Sequence, residues 1–150
     1  MTLHSSDFAE YFFALHGFQP MQWQSDAAES ACAGQWKDVI SLPTGAGKTS
    51  TIDIALFALA VQAALPKEQR TAPMRTFLVV DRRTVVNEAF DRACKLQEKL
   101  TDANEGILKT VADALRSYGN ESPVEVRELR GGIYHDPSWC DTLTQPMIVT

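Results

Sequence analysis

The segment Ser41-Leu42-Pro43-Thr44-Gly45-Ala46-Gly47-Lys48-Thr49 constrains this chain more than any other. It follows a short apolar run, Val39-Ile40, and opens a long helical pattern, so it predicts a strand, a glycine-rich turn and a helix in succession. Glycines at 45 and 47 let backbone N–H groups approach an anion closely, and a helix beginning near Lys48 aims the positive end of its dipole at the same anion. In such a phosphate-binding loop Thr44, Gly45, Ala46 and Gly47 cradle the phosphates, Lys48 reaches the β and γ groups, and the Thr49 hydroxyl holds magnesium. Leu42 departs from the general G-x-x-x-x-G-K-[ST] pattern, which has glycine there. The chemistry predicted is nucleotide binding.

Helical and strand-like patterns alternate along the rest of the chain, which predicts an α/β fold with a mostly parallel sheet. Residues 7–16 read as an amphipathic helix, with Asp7 and Glu10 at capping-box spacing and Gly17 stopping it. A second helix starts near Pro20, carries Trp23, Ala27, Ala28, Ala31 and Cys32 inward, and ends at Gly34. A strand is expected over 38–42, then a helix from Lys48 to about Leu65 that is apolar nearly all round and hence buried. Thr76 to Val80 reads as a buried strand, and Thr84–Leu100 and 105–118 as helices. Val124 and Val126 mark a strand ended by Gly131-Gly132, and Met147–Thr150 begins another.

A chain of 150 residues with 45% hydrophobic and 22% charged residues has the make-up of one soluble domain. No apolar run of transmembrane length and no signal-peptide pattern is present, so no membrane partner is expected. Cys32, Cys94 and Cys140 form no C-x-x-C pair, which fits a reducing cytoplasm better than a disulfide framework. The net charge of −5 argues against a dedicated nucleic-acid-binding domain but leaves room for a local basic contact.

Further candidates lie around the loop. Upstream, Gln24, or Gln22 as second choice, has the amide chemistry to pair with adenine's Hoogsteen edge, and Phe18 could stack on the base. Arg82 and Arg83 follow an apolar run at the strand end where α/β sheets bind ligands, a place to hold a nucleic-acid phosphate. Gly131 and Gly132 after Arg130 allow close approach of another backbone, a sugar–phosphate chain or simply a tight turn. Asp81 ends an apolar strand like a magnesium-holding carboxylate, although Arg82 and Arg83 would compete with the metal for it. His135, Asp136, Cys140 and Asp141 are metal-ligand types at irregular spacing and read as a solvated loop.

The order Pro20…Gln24, Leu-Pro-Thr-Gly-Ala-Gly-Lys-Thr, Val-Val-Asp-Arg-Arg-Thr-Val-Val, Arg-Gly-Gly and Gln-Pro-Met-Ile-Val-Thr resembles the first RecA-like domain of superfamily 2 helicases. It is most similar to the DExH helicase of type I CRISPR systems, the motor of the Cas3-type helicase–nuclease, especially in Asp-Ile-Ala-Leu-Phe-Ala-Leu-Ala after the loop. The superfamily's loop is usually Pro-Thr-Gly-x-Gly-Lys-Thr, which accommodates Leu42.

The resemblance implies a three-layer P-loop NTPase (RecA-like) fold, ATP and magnesium as cofactors, and single-stranded DNA and a CRISPR surveillance complex as partners. It implies Gln24 as the adenine reader, Gly45, Gly47, Lys48 and Thr49 as the ATP motif, and Arg82, Arg83, Gly131 and Gly132 as DNA contacts. The family's acidic box, arginine finger and nuclease signature are not found in the sequence, so the chain reads as the first part of a motor domain, incomplete for hydrolysis. Two rival expectations are a small non-helicase ATPase using Asp81 and a catalytically dead binding module.

Overall fold

Apolar residues at helical spacing fold as expected over most of the chain. The computed structural model describes residues 2–79, 83–129 and 140–150, with the backbone alone for 83–86. Its helices are α1 (Phe8–His16), α2 (Gln22–Cys32), α3 (Thr51–Gln62), α4 (Arg83–Thr101) and α5 (Gly106–Arg116). Its strands are β1 (Arg75–Phe77), β2 (Glu125–Arg127) and β3 (Met147–Val149). Among the described residues, no helix is long and apolar enough to cross a membrane.

The strands form one sheet in the order β1-β3-β2, parallel throughout, with Thr76 and Val126 on either side of Ile148. Parallel neighbours cannot be joined by a hairpin. The connection from β1 to β2 runs through α4 and α5, and α4 packs on β2. The result is an α/β fold with an all-parallel sheet, compatible with a RecA-like arrangement.

Phe8, Tyr11, Phe12 and Leu15 give α1 one buried face, and Gly17 ends it at φ 78°, a conformation open to glycine. A 3₁₀ turn, Ser5–Asp7, precedes this helix, and the Asp7 carboxylate accepts the His4 N–H at 2.8 Å. Asp7 therefore caps that turn and makes no side-chain cap to α1, contrary to the expected pairing with Glu10. The Tyr11 ring lies 5.0 Å from that of Phe57 on α3, joining the first helix to the centre of the core.

Every residue from Ile52 to Ala60 is buried, as the apolar pattern predicts. The helix proper starts at Thr51, because Lys48–Ser50 forms a 3₁₀ turn. α2 and α3 lie side by side and are tied at both ends. Near their starts the Gln24 amide donates to Ser50 Oγ at 2.7 Å, and at their ends Gln62 donates to the Cys32 carbonyl at 3.1 Å. Both ties match start to start and end to end, so the two helices run parallel. The Gln62 carbonyl oxygen also accepts the N–H groups of Thr71 and Ala72, at 2.7 and 2.8 Å, anchoring the approach to β1.

One charge sits inside this apolar helix. Asp53 is fully buried, with His16 Nε2 at 3.2 Å and the Arg92 guanidinium of α4 paired to the same oxygen. The buried Tyr11 hydroxyl has no hydrogen-bond partner, and burial first, then the Asp53 charge, pushes its pKa well above the ordinary value.

Two expected elements differ. Residues 38–42 form no strand, and Val39 is 77% exposed. The run from Thr76 is not buried throughout either: Phe77 is 47% and Val79 87% exposed. Residues in both segments, Trp36 to Ile40 and Thr76 to Val79, line one groove of about 900 Å³ together with Ile52, Ala55 and Ala58. Among the described residues the β1 segment pairs with β3 and not with 38–42.

Candidate functional site

The glycine-rich loop leads into the 3₁₀ turn Lys48–Ser50 that precedes α3. Gly45 and Gly47 have φ of 83° and 72°, while Ala46 between them stays at negative φ. Lys48 continues into the 3₁₀ turn, so the sign of φ alternates from Gly45 to Lys48. A backbone that alternates in this way can turn N–H groups toward one concave side, the geometry of an anion-binding nest. The first turn after it adds N–H groups that have no intrahelical partner, and α3 adds its dipole.

Space confirms the need for glycine at 47. A Cβ there would lie 2.9 Å from Gln24 Nε2, whereas one at Gly45 would meet nothing within 4 Å. The Lys48 ammonium donates to the Leu42 carbonyl at 2.8 Å, folding back across the loop's mouth while remaining exposed. An anion in the nest would offer that ammonium a stronger, charge-assisted partner than a neutral carbonyl. Thr44, Gly45, Ala46, Gly47, Lys48 and Thr49 thus occupy one turn, with the Thr49 side chain half-buried at the base.

The first turn of α2 supports the loop from behind. Trp23 Nε1 donates to the Ala46 carbonyl at 3.0 Å. Gln24 Nε2 donates to Ser50 Oγ, and Ser50 Oγ donates to the Gly47 carbonyl at 2.6 Å. Gln24 is 3% exposed, and its carbonyl oxygen accepts the Met21 N–H at 2.8 Å, so it also caps α2. A carboxamide has two N–H groups and two lone pairs, and these contacts leave one of each.

Gln22 has a different place. It is exposed and donates to Asp26 at 2.8 Å, one turn along the surface of α2. Phe18 is 58% exposed and stands edge-on to Phe12 at 5.7 Å, with ring surface still open to solvent. Sequence reasoning placed Trp23 in the core and left Ser50 out. Trp23 is half-buried with its polar edge on the loop, a use that an amphipathic side chain permits and periodicity cannot reveal.

Arg82, Gly131 and Gly132, with Asp81, His135 and Asp136, lie outside the described residues. Arg83 is the first residue of α4, and its side chain also lies outside them. Cys140 and Asp141 are exposed, and among the described residues no group of three or more His, Cys, Asp or Glu could hold a metal. Comparison of the chain with protein-family models, with curated proteins and with solved structures finds no match.

Proposed function

We propose that residues 44–49 bind the phosphates of ATP, and that the chain is the ATP-binding segment of an ATP-dependent helicase or translocase acting on single-stranded DNA. The observation that carries the first part is the loop's nest-like backbone: two left-handed glycines on either side of a negative-φ residue, leading into the turn that starts α3, with the Lys48 ammonium turned back onto the loop. In this reading Gly47 and Lys48 present N–H groups to phosphate oxygens and the Lys48 ammonium leaves Leu42 for the β and γ phosphates. Magnesium, held by the Thr49 hydroxyl, would neutralise phosphate charge. Gln24 would use its remaining N–H and lone pair on adenine, with Phe18 offering a ring to the base.

The helicase part rests on the resemblance of the ordered motifs to superfamily 2, and the CRISPR setting on their likeness to its Cas3-type motors. A RecA-like three-layer fold suits the parallel sheet. Arg82, Arg83, Gly131 and Gly132 would then meet the DNA backbone.

Calorimetric titration of the purified chain with ATP and magnesium tests the central claim. Binding should occur and should be lost, by tenfold or more, in Lys48→Ala, since a charged hydrogen bond to phosphate contributes about 1.5–3 kcal/mol. Equal affinity of wild type and Lys48→Ala, or no binding at millimolar ATP, would reject the phosphate site. Strand separation or translocation driven by ATP, measured on the complete motor protein that contains this segment, tests the helicase part separately.

A further inference from the structure

The loop's N–H groups are useful to an anion only while their peptide planes keep the right orientation. A trans peptide is planar, so its C=O and N–H point in opposite directions. The peptide joining Ala46 to Gly47 turns by rotation at Ala46 ψ and Gly47 φ, and glycine resists neither sign of φ. Left alone, that peptide could flip and present a carbonyl dipole to the phosphate. What opposes the flip is the indole of Trp23, whose N–H holds the Ala46 carbonyl at 3.0 Å on the α2 side. The next peptide is held in the same manner, since Ser50 Oγ and the Ser50 N–H both donate to the Gly47 carbonyl, at 2.6 and 3.0 Å.

We propose that Trp23 is a positioning residue for phosphate recognition: its indole N–H locks the Ala46–Gly47 peptide so that the Gly47 N–H faces the nest. The inference rests on the reading of residues 44–49 as a phosphate site and adds how that site is kept in its binding form. It places the control of loop shape on α2, a helix that precedes the loop and makes no phosphate contact itself. The ligand class it serves is a di- or triphosphate, because the effect falls on the phosphate cradle and not on a base.

Magnesium pyrophosphate, which has no base, is the appropriate probe, titrated calorimetrically into the full chain and into Trp23→Phe. Phenylalanine keeps an aromatic ring against α2's neighbours and removes the donor together with the second ring of the indole. Circular dichroism confirms folding, and Trp36→Phe, at an exposed position outside the loop, serves as the control. Trp23→Phe should bind pyrophosphate roughly three- to tenfold more weakly, the equivalent of one hydrogen bond, and ATP by the same factor.

Amide NMR supplies the local readout. Pyrophosphate should move the Gly47 amide resonance downfield in the wild type, and Trp23→Phe should diminish that response while leaving the Lys48 amide response in place. In the wild type itself, the Trp23 indole proton should stay protected from solvent exchange in both free and bound states. Wild-type affinity in Trp23→Phe, an unchanged Gly47 response, or release of the indole proton on binding would each overturn the inference and leave the phosphate site standing. Failure of the wild type to bind pyrophosphate would overturn both.

Discussion

Replacing Arg92 by methionine should destabilise the fold far more than an ordinary surface substitution does. Asp53 is fully buried in the first turn of α3, and the Arg92 guanidinium is its charged partner. Removing one member of a buried ion pair leaves an uncompensated charge and costs about 3–5 kcal/mol. Arg92 is 27% exposed on its side chain, so water can enter where it was, and His16 remains at 3.2 Å. Both soften the loss, which places it near the lower end, about 3 kcal/mol. For a chain of this length such a change lowers Tm by roughly 6–12 °C.

Urea unfolding of Arg92→Met, Asp53→Leu and the double variant measures the coupling directly. The double variant should recover much of the loss, because a buried pair replaced by apolar groups is close to neutral. A cost below about 1 kcal/mol for Arg92→Met, or strict additivity in the double variant, would refute the claim that this pair is a coupled buried unit.

The loop glycines should differ in their tolerance of a side chain. Gly45→Ala meets only the strain of a left-handed backbone, roughly 1–2 kcal/mol, whereas Gly47→Ala also pushes its Cβ to 2.9 Å from the buried Gln24 amide. Equal losses of urea stability in the two variants would contradict that packing. Thiol labelling at pH 8 should separate the cysteines. Burial pushes the Cys32 thiol up to about 12, so only about one molecule in 10⁴ carries the reactive thiolate, while Cys140 is exposed. Cys140 should react first with a disulfide reagent and Cys32 only as urea unfolds the chain; Cys32 reacting as fast as Cys140 in the folded protein would exclude this burial.

Local periodicity made much of the fold legible. The 3.6-residue repeat that buries Ile107, Val111 and Leu115 in α5 is written in adjacent turns, and so is the apolar stretch of α3. The expected strand at 38–42 failed because an apolar run becomes a strand only beside another strand, and that neighbour is a non-local fact. Gln24 illustrates the same limit within the site. Its place in sequence near the loop was readable, but its burial depends on Ser50, 26 residues away. Trp23 counted correctly as an inward residue, yet its polar edge was invisible to a pattern that scores only apolarity. Asp53 did leave a signal: a lone carboxylate in a helix apolar on every side must have a cationic partner, although the sequence alone does not single out Arg92.

The double tie between α2 and α3 gives the two helices the mechanics of a single bar. With Gln24 and Ser50 pinning one end and Gln62 and Cys32 the other, neither helix can slide along its neighbour without breaking one of these hydrogen bonds. Any displacement imposed at the loop end must therefore tilt the pair as a whole. The far end of that bar is Gln62, whose carbonyl oxygen grips Thr71 and Ala72 just before β1. A tilt begun at residues 44–49 would thus be felt as a pull on the sheet's border strand, through a glutamine that touches neither the loop nor the strand.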